Sequence, residues 1–222
     1  YNDNMVESLL GQYDFADVNG PGLSGAFAMR LQEGYPMFSY YLLEFEGYDA
    51  AGLAIVSDEK SFVGKSALPN LTGGLSTNLN YKQFSLSAYF NGQFGHYIYN
   101  NTANAFFTAG AFGTTRNVLP ETLTSGEAIG ASAPASTRFL EKGDFVRLQN
   151  LTLAYDMPMS GEGVFKSMVF SVTGQNLWLS SDYSGLDPEV NSATGGALPS
   201  IGMDYGAYPN PTTITFGINA KF

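Results

Sequence analysis

Residues 213–222 read TITFGINAKF. Ile214, Phe216, Ile218, Ala220 and Phe222 fall on one face, and Thr213, Thr215, Gly217, Asn219 and Lys221 on the other. Unbroken alternation predicts a β-strand with one apolar flank. About ten residues is also the length of a membrane-crossing strand. The pattern recurs at 73–81, where Leu75, Thr77, Leu79 and Tyr81 oppose Ser76, Asn78 and Asn80, and at 84–94, where Phe84, Leu86, Ala88, Phe90 and Phe94 oppose Ser85, Ser87, Tyr89, Asn91 and Gln93. Only Lys82 and Gln83 separate these two, which predicts a tight hairpin. A further pair spans 141–156 and 167–179. In the first, Leu151, Leu153 and Tyr155 share a face, and the phase slips near Val146 and Leu148 as a bulge would make it. In the second, Phe170, Val172 and Trp178 oppose Ser171, Thr173 and Gln175, and a turn with Pro158, Gly161 and Gly163 joins the two. A sixth strand is expected within 24–47, although its apolar stretch FSYYLLEF does not alternate.

Connection lengths set an orientation. Those at 81–84 and 157–166 are short, whereas 95–140 and 180–210 are long and rich in Gly, Ala, Ser, Thr, Asn and Pro. Outer-membrane barrels pair short periplasmic turns with long extracellular loops. Strands 73–81, 141–156 and 213–222 therefore run inward, leaving the C-terminus in the periplasm. The expected fold class is all-β: an antiparallel transmembrane β-barrel. Its smallest closed forms have about eight strands, and an open edge in lipid leaves backbone groups unsatisfied at several kcal/mol each. Six strands therefore read as one arc of a larger barrel.

Composition agrees with that class. No run of about 18 apolar residues suggests a membrane helix, yet only 14% of residues are charged and 44% are hydrophobic. Alternating lipid-facing and lumen-facing positions give such an average. The 14 Tyr and 17 Phe suit aromatic girdles. With no cysteine there is no disulfide framework. A net charge of −10 argues against nucleic acid as a partner. Tyr1-Asn2-Asp3-Asn4 lacks the basic and apolar regions of a signal peptide, so either the signal was removed or, the reading favoured by the strand count, this is an internal start.

Several blocks resemble SusC/RagA-type TonB-linked outer-membrane proteins. STRFLEKGDFVRLQNLTLAYDMP (136–158), SVTGQNLWLSSDYSGLDPEVN (171–191) and DYGAYPNPTTITFGINAKF (204–222) are similar to that family's C-terminal barrel portion, in order and spacing. VGKSALPNLTGGLSTNLNYKQFSLSAYFNGQFG (63–95) and EGYPMFSYYLLEFEGYDAAG (33–52) resemble its preceding blocks. The resemblance implies a barrel of about 22 strands, with 1–222 as its C-terminal part and the plug domain outside this chain. It implies TonB-dependent import of a nutrient, usually an oligosaccharide and sometimes a peptide. The partners it implies are a SusD-like lipoprotein lid, TonB-ExbB-ExbD acting through the plug region, and outer-membrane lipid. One departure is that no Asp-rich run follows block 33–52, so a cation site there is not carried over.

Chemistry for catalysis is sparse. His96 is the one histidine, too little for a zinc site or a His-based triad, and reads as a loop or rim residue beyond Gly95. Asp182, Asp187 and Glu189 lack the oxygen ladder of a calcium loop and read as a turn. Glu44 and Glu46 sit at strand spacing and read as a lumen or rim pair. No catalytic residue, metal or cofactor is expected. Ligand contacts are expected from loop aromatics, Tyr97, Tyr99, Tyr183, Tyr205 and Tyr208, since rings stack on sugar faces. Loop self-packing and lid contact compete for each of them. Phe222, a terminal aromatic on an alternating strand, resembles a barrel-assembly signal, a role compatible with plain lipid contact. The rival readings are a small self-contained barrel (porin or adhesin), a secreted carbohydrate-binding β-sandwich, and a surface hydrolase.

Overall fold

The computed structural model describes residues 1–114, 117–159, 163–192 and 198–222. The chain divides into two compact units: a sheet unit of 72–94, 145–182 and 210–222, and a loop-built unit of 1–71, 95–144 and 183–209.

The sheet unit holds five neighbouring strands in the order Thr213–Lys221, Ser167–Ser181, Phe145–Met157, Phe84–Phe94 and Leu71–Tyr81. Pairing is antiparallel, and the register turns sequence alternation into rows across the sheet. Leu86, Leu153, Val172 and Phe216 stand side by side, flanked by Phe84, Tyr155, Phe170 and Ile218. The opposite face carries Ser87, Thr152, Thr173 and Thr215 in one row and Ser85, Ala154, Ser171 and Gly217 in the next. The Thr152 and Thr173 hydroxyls are 2.9 Å apart, the kind of cross-strand pair that stabilises a sheet by a few tenths of a kcal/mol, up to about 1.

The slipped phase at Val146 and Leu148 is a bulge. The register shifts between Leu148 and Asn150 against both neighbours, leaving Gln149 outside the pairing with Phe84–Phe94. Leu148 then lies beside Phe90 and Trp178, on the same face as Leu151 and Leu153. One extra residue therefore keeps the apolar face continuous where the sequence changes parity. Arg147, Asp156 and Lys221 are the charged residues of the five strands, and all three project from the polar face, beside Asn91, Val169 and Ser167.

Both outer strands have a single neighbour, and every residue of Leu71–Tyr81 is exposed. Among the described residues no second layer covers the apolar rows within this unit. Phe216 is 78% and Leu75 66% exposed. In a soluble sandwich these are the side chains that face the core. Here they form the outer face of a barrel arc.

The expected strand at 141–156 starts at Phe145. Residues Leu140–Lys142 pair with Tyr97–Asn100 in the other unit. The break falls at Gly143-Asp144, where the Gly143 amide donates to the His96 carbonyl and Asp144 Oδ1 accepts from the Gly95 amide at 2.7 Å. Gly161 of the expected turn lies outside the described residues.

The loop-built unit departs further from expectation. Region 24–47 is three short strands, Ala26–Leu31, Ser39–Leu42 and Phe45–Tyr48, instead of one membrane strand. Gly34 and Phe38 have positive φ, and Pro36 between them breaks the run. FSYYLLEF does not alternate because Ser39, Tyr40 and Leu42 are all buried, so both faces pack. Tyr13–Val18, Ala26–Leu31, Ser39–Leu42 and Ser61–Ser66 make a four-stranded sheet, with Phe45–Tyr48 and Ala54–Val56 as a separate pair. Region 95–140, expected as a long loop, contains among its described residues the strand Tyr97–Asn100, the helix Asn101–Phe106 and three 3-10 turns. Met203–Asp204 joins Tyr97–Asn100 in parallel. The core is Phe15, Met29, Tyr40, Leu42, Tyr99, Phe139 and Met203 with smaller neighbours.

Gly202 holds these segments together. Its φ is +67°, and a Cβ there would lie 2.6 Å from Ala67 Cβ and 2.7 Å from the Tyr40 hydroxyl. Its carbonyl accepts from the Tyr40 hydroxyl at 2.7 Å and from the Tyr99 amide at 2.8 Å.

The two faces of the sheet make opposite predictions for one kind of substitution. Phe216→Lys in the full-length protein places a charge near the middle of the apolar face and is expected to cost about 2–4 kcal/mol and lower the folded level in the membrane. Thr215→Lys, on the polar face, is expected to leave that level near the parent's. Quantifying heat-modifiable folded protein in membrane fractions checks both, and equal losses would refute the assignment of faces.

Candidate functional site

The polar centre of the loop-built unit starts from the run Tyr99-Asn100-Asn101-Thr102-Ala103-Asn104. All three asparagines are buried. Asn100 caps the short helix, its Oδ1 accepting from the Ala103 amide at 2.9 Å. Its Nδ2 donates to Glu141 Oε1 at 2.9 Å and to Ser184 Oγ at 3.1 Å. Asn101 clips Asn19, accepting its amide at 2.7 Å and donating to its carbonyl at 2.6 Å. Asn104 accepts from the Tyr99 hydroxyl at 2.7 Å and donates to the Ala133 carbonyl at 2.8 Å. Asp204 completes the cluster, accepting from the Tyr183 hydroxyl at 2.6 Å and from Thr102 Oγ1 at 3.0 Å. Burial, with the Asp204 carboxylate beside it, pushes the Tyr183 hydroxyl well above the ordinary phenol range.

This network binds chain to chain. Its carboxylates spend their oxygens on internal donors, and no nucleophile–base pair emerges from it. Among the described residues no three His, Cys, Asp or Glu side chains group as metal ligands. Asp187 is buried and accepts from the Glu189 amide at 2.9 Å, a turn, while Glu189 and Asp182 are exposed. Glu44 and Glu46 are exposed too. His96 is buried, which corrects its expected place at a rim: the ring packs where a Cβ on Gly143 would sit.

The anticipated ligand aromatics do not converge. Tyr99 and Tyr183 are buried and their hydroxyls are engaged, so neither offers a ring face to a ligand. Tyr205 stacks on Phe106, with ring centroids 5.8 Å apart. Tyr208, 96% exposed, lines a cavity of about 390 Å³ with Asn100, Thr102, Asp204, Phe107 and Leu186. Tyr97 lines a different cavity of about 460 Å³. Phe222 is exposed in the sheet unit, its ring 5.0 Å from that of Phe165. Three further lining residues of the Tyr97 cavity, Tyr35, Phe62 and Lys65, escaped the sequence reading. The available signal was Gly34-Tyr35-Pro36, a turn that presents the ring between two backbone breakers.

No family model matches the chain. It is 36% identical over 191 residues to TonB-dependent receptor P26 of Formosa agariphila, covering 79% of this chain and 19% of that protein. It is 32% identical over 189 residues to TonB-dependent receptor P3 of the same organism, covering 80% and 19%. With TonB-dependent receptor SusC of Bacteroides thetaiotaomicron it shares 26% identity over 253 residues, covering all of this chain and 24% of that one. The fold matches the RagAB peptide transporter with a TM-score of 0.75 and 23% identity, over 96% of this chain and 25% of that one. The chain thus spans about a fifth of the length of the first relatives it matches. Fold and likeness together define a partial barrel of an outer-membrane receptor. The chain belongs to the TonB-dependent receptors, of the SusC type. These relatives are receptors rather than enzymes.

Burial of His96 gives the loop-built unit a pH dependence. Burial holds the imidazole below its ordinary range, and Asp144 opposes the shift only in part. The folded form therefore binds a proton more weakly than the unfolded form. The stabilisation is fully present above about pH 6.5, the unfolded value, and is lost as pH falls through the depressed folded value. Hydrogen exchange of peptides covering 95–100 in the full-length receptor, corrected for intrinsic rates, is expected to show protection falling from pH 7.5 to pH 5. His96→Gln is expected to flatten that trend, and an unchanged trend would assign it to other groups.

Proposed function

We propose that the full protein imports a nutrient across the outer membrane, driven through TonB-ExbB-ExbD acting on a plug region outside this chain. A SusD-like surface lipoprotein covers its outer mouth in this reading. The observation that carries it is the 36% identity with a TonB-dependent receptor over 79% of the chain, joined to a sheet whose apolar face is bare. The proposed orientation places the Lys82-Gln83 turn and the C-terminus in the periplasm and the long connections 95–140 and 180–210 outside the cell. Its support is that both connections leave and re-enter the sheet at neighbouring strand ends.

The proposed cargo is an oligosaccharide. Aromatic rings and side-chain amides line both the cavity of about 460 Å³ and that of about 390 Å³, which suits sugar faces and hydroxyls. A peptide cargo is the second reading, favoured by the shared fold with the RagAB peptide transporter. Cells carrying or lacking the full-length gene discriminate when offered labelled oligosaccharides and a labelled protein digest. Oligosaccharide accumulation that requires the gene and stops with a protonophore is the expected result. Accumulation of the digest alone would overturn the cargo, and accumulation insensitive to both would overturn the importer.

Phe222 is proposed to signal assembly as well as to contact lipid. Its deletion from the full-length receptor is expected to lower the folded outer-membrane level several-fold, whereas Phe222→Tyr, which keeps a terminal ring, retains it. Unchanged assembly after deletion leaves lipid contact as its whole role.

A further inference from the structure

The cavity of about 460 Å³ that Tyr97 lines lies within the loop-built unit and falls in the size range of small-molecule sites. Its aromatic wall is built by packing. Tyr35 lies flat on Phe62, with ring centroids 3.6 Å apart and planes 13° from parallel. Tyr41 supports Phe62 edge-on at 5.0 Å. Tyr35 itself remains 37% exposed, so it is a braced ring with open surface. Its backbone is fixed as well: the Val6 amide donates to the Tyr35 carbonyl at 3.0 Å, and the Gly34 amide to the Val6 carbonyl at 2.9 Å. Lys65 and Tyr97 line the same cavity, with Lys65 Nζ 4.7 Å from the Tyr97 ring centroid. Asn70, an exposed residue, adds an amide to the lining.

We infer that this cavity is a subsite for a pyranose unit of the cargo, stacked on Tyr35 and hydrogen-bonded at its hydroxyls by Lys65 and Asn70. The inference rests on the importer reading with an oligosaccharide cargo and assigns it a place in this chain. An extended peptide would need a different wall. The strand at the cavity, Ser61–Ser66, is the outer strand of its sheet, the position where a peptide adds by backbone pairing. Gly64 is left-handed there, with φ +67°, and the register with the neighbouring strand shifts between Ser39 and Tyr41. Such a bulge turns an edge away from further pairing. What remains usable is a flat braced ring with hydrogen-bonding groups around it. A sugar ring carries the complement of both, an apolar C–H face and a rim of hydroxyls.

The test uses the full-length receptor, purified in detergent. A glycan array of defined neutral, uronate-bearing and sulfated oligosaccharides identifies a bound probe, and titration calorimetry then measures it. Tyr35→Ala is expected to weaken that probe about tenfold. Tyr35→Phe keeps the ring and is expected to bind like the parent. Lys65→Ala, at an exposed position, is expected to weaken it several-fold. Leu123→Ala, an exposed change outside the lining of either cavity, is expected to leave it unchanged. Parent-like affinity in both Tyr35→Ala and Lys65→Ala overturns the subsite while leaving the importer reading intact. A parent that binds no oligosaccharide overturns the subsite and the cargo together. Loss of a protein digest instead of a glycan in Tyr35→Ala would assign the cavity to peptides.

Discussion

Everything in the sheet unit depends on keeping one face apolar across every hydrogen-bonded neighbour. A strand's side chains alternate, so a one-residue slip moves a whole flank to the wrong side. The register avoids this from Phe84–Phe94 through to Thr213–Lys221, matching Leu86, Leu153, Val172 and Phe216 in one row. Where the sequence changes parity, at Gln149, the structure spends a bulge rather than turn Val146 and Leu148 to water. The opposite face tolerates Ser, Thr, Asn and three charges. That asymmetry separates a membrane arc from a soluble sandwich. Both use alternating strands, but only the arc leaves Phe216 and Leu75 bare within its unit. The unpaired edges follow from the same constraint, because in hydrocarbon each must meet another strand.

The loop-built unit solves a different problem. Its segments are long, rich in small and polar residues, and belong to three separate stretches of chain. Small residues bury little apolar area, so the segments need polar groups inside, and buried polar groups destabilise unless bonded. Asn100, Asn101 and Asn104 meet that requirement by bonding backbone and side chains, Asn101 reaching Asn19 and Asn100 reaching Ser184 in other segments and Asn104 the Ala133 carbonyl of its own. Tyr40, Tyr99 and Tyr183 do the same with their hydroxyls while filling the core with their rings. Arg138 and Glu127 add a bidentate pair at 2.8 and 3.0 Å, with the guanidinium 4.8 Å from the Phe139 ring. Removing one partner of such a pair leaves the other buried and unpaired, which costs more than the pair itself contributes.

This difference explains what was legible in advance. Alternation is a local property, so the strands at 73–81, 84–94, 167–179 and 213–222, and even the bulge, could be read from residue order. The loop-built unit is held by contacts far apart in sequence, such as Tyr40 with Gly202 and Asn19 with Asn101, which no window of residues contains. FSYYLLEF looked like a poor membrane strand because it is a good buried one. Tyr99 and Tyr183 looked like loop aromatics available to a ligand, since composition does not tell a buried ring from a presented one. His96 looked like a rim residue for the same reason. The family resemblance, by contrast, was legible because it rests on residues such as Gly34, Pro36, Gly174 and Pro188, whose roles in turns and close packing fix both identity and spacing.

The same logic bears on how a loop-derived unit can recognise anything. A binding surface built on mobile loops loses affinity to the ordering of its own side chains, roughly 0.5–1.5 kcal/mol for each one immobilised. Tyr35 avoids much of that cost. It follows a left-handed glycine and precedes a proline, its carbonyl and its neighbour's amide are tied to Val6, and its ring already rests on Phe62. Tyr208 is the contrast: 96% exposed, it would have to be ordered by whatever it meets. Of the aromatic residues facing the two cavities, the braced ring is therefore the better anchor for a weakly held, repeatedly released cargo, and the free one is suited to contacts that form only when a partner closes over it. The bracing of Tyr35 is local, through Val6 and Phe62, whereas the buried asparagine network does a different job and ties the unit's three chain segments to one another.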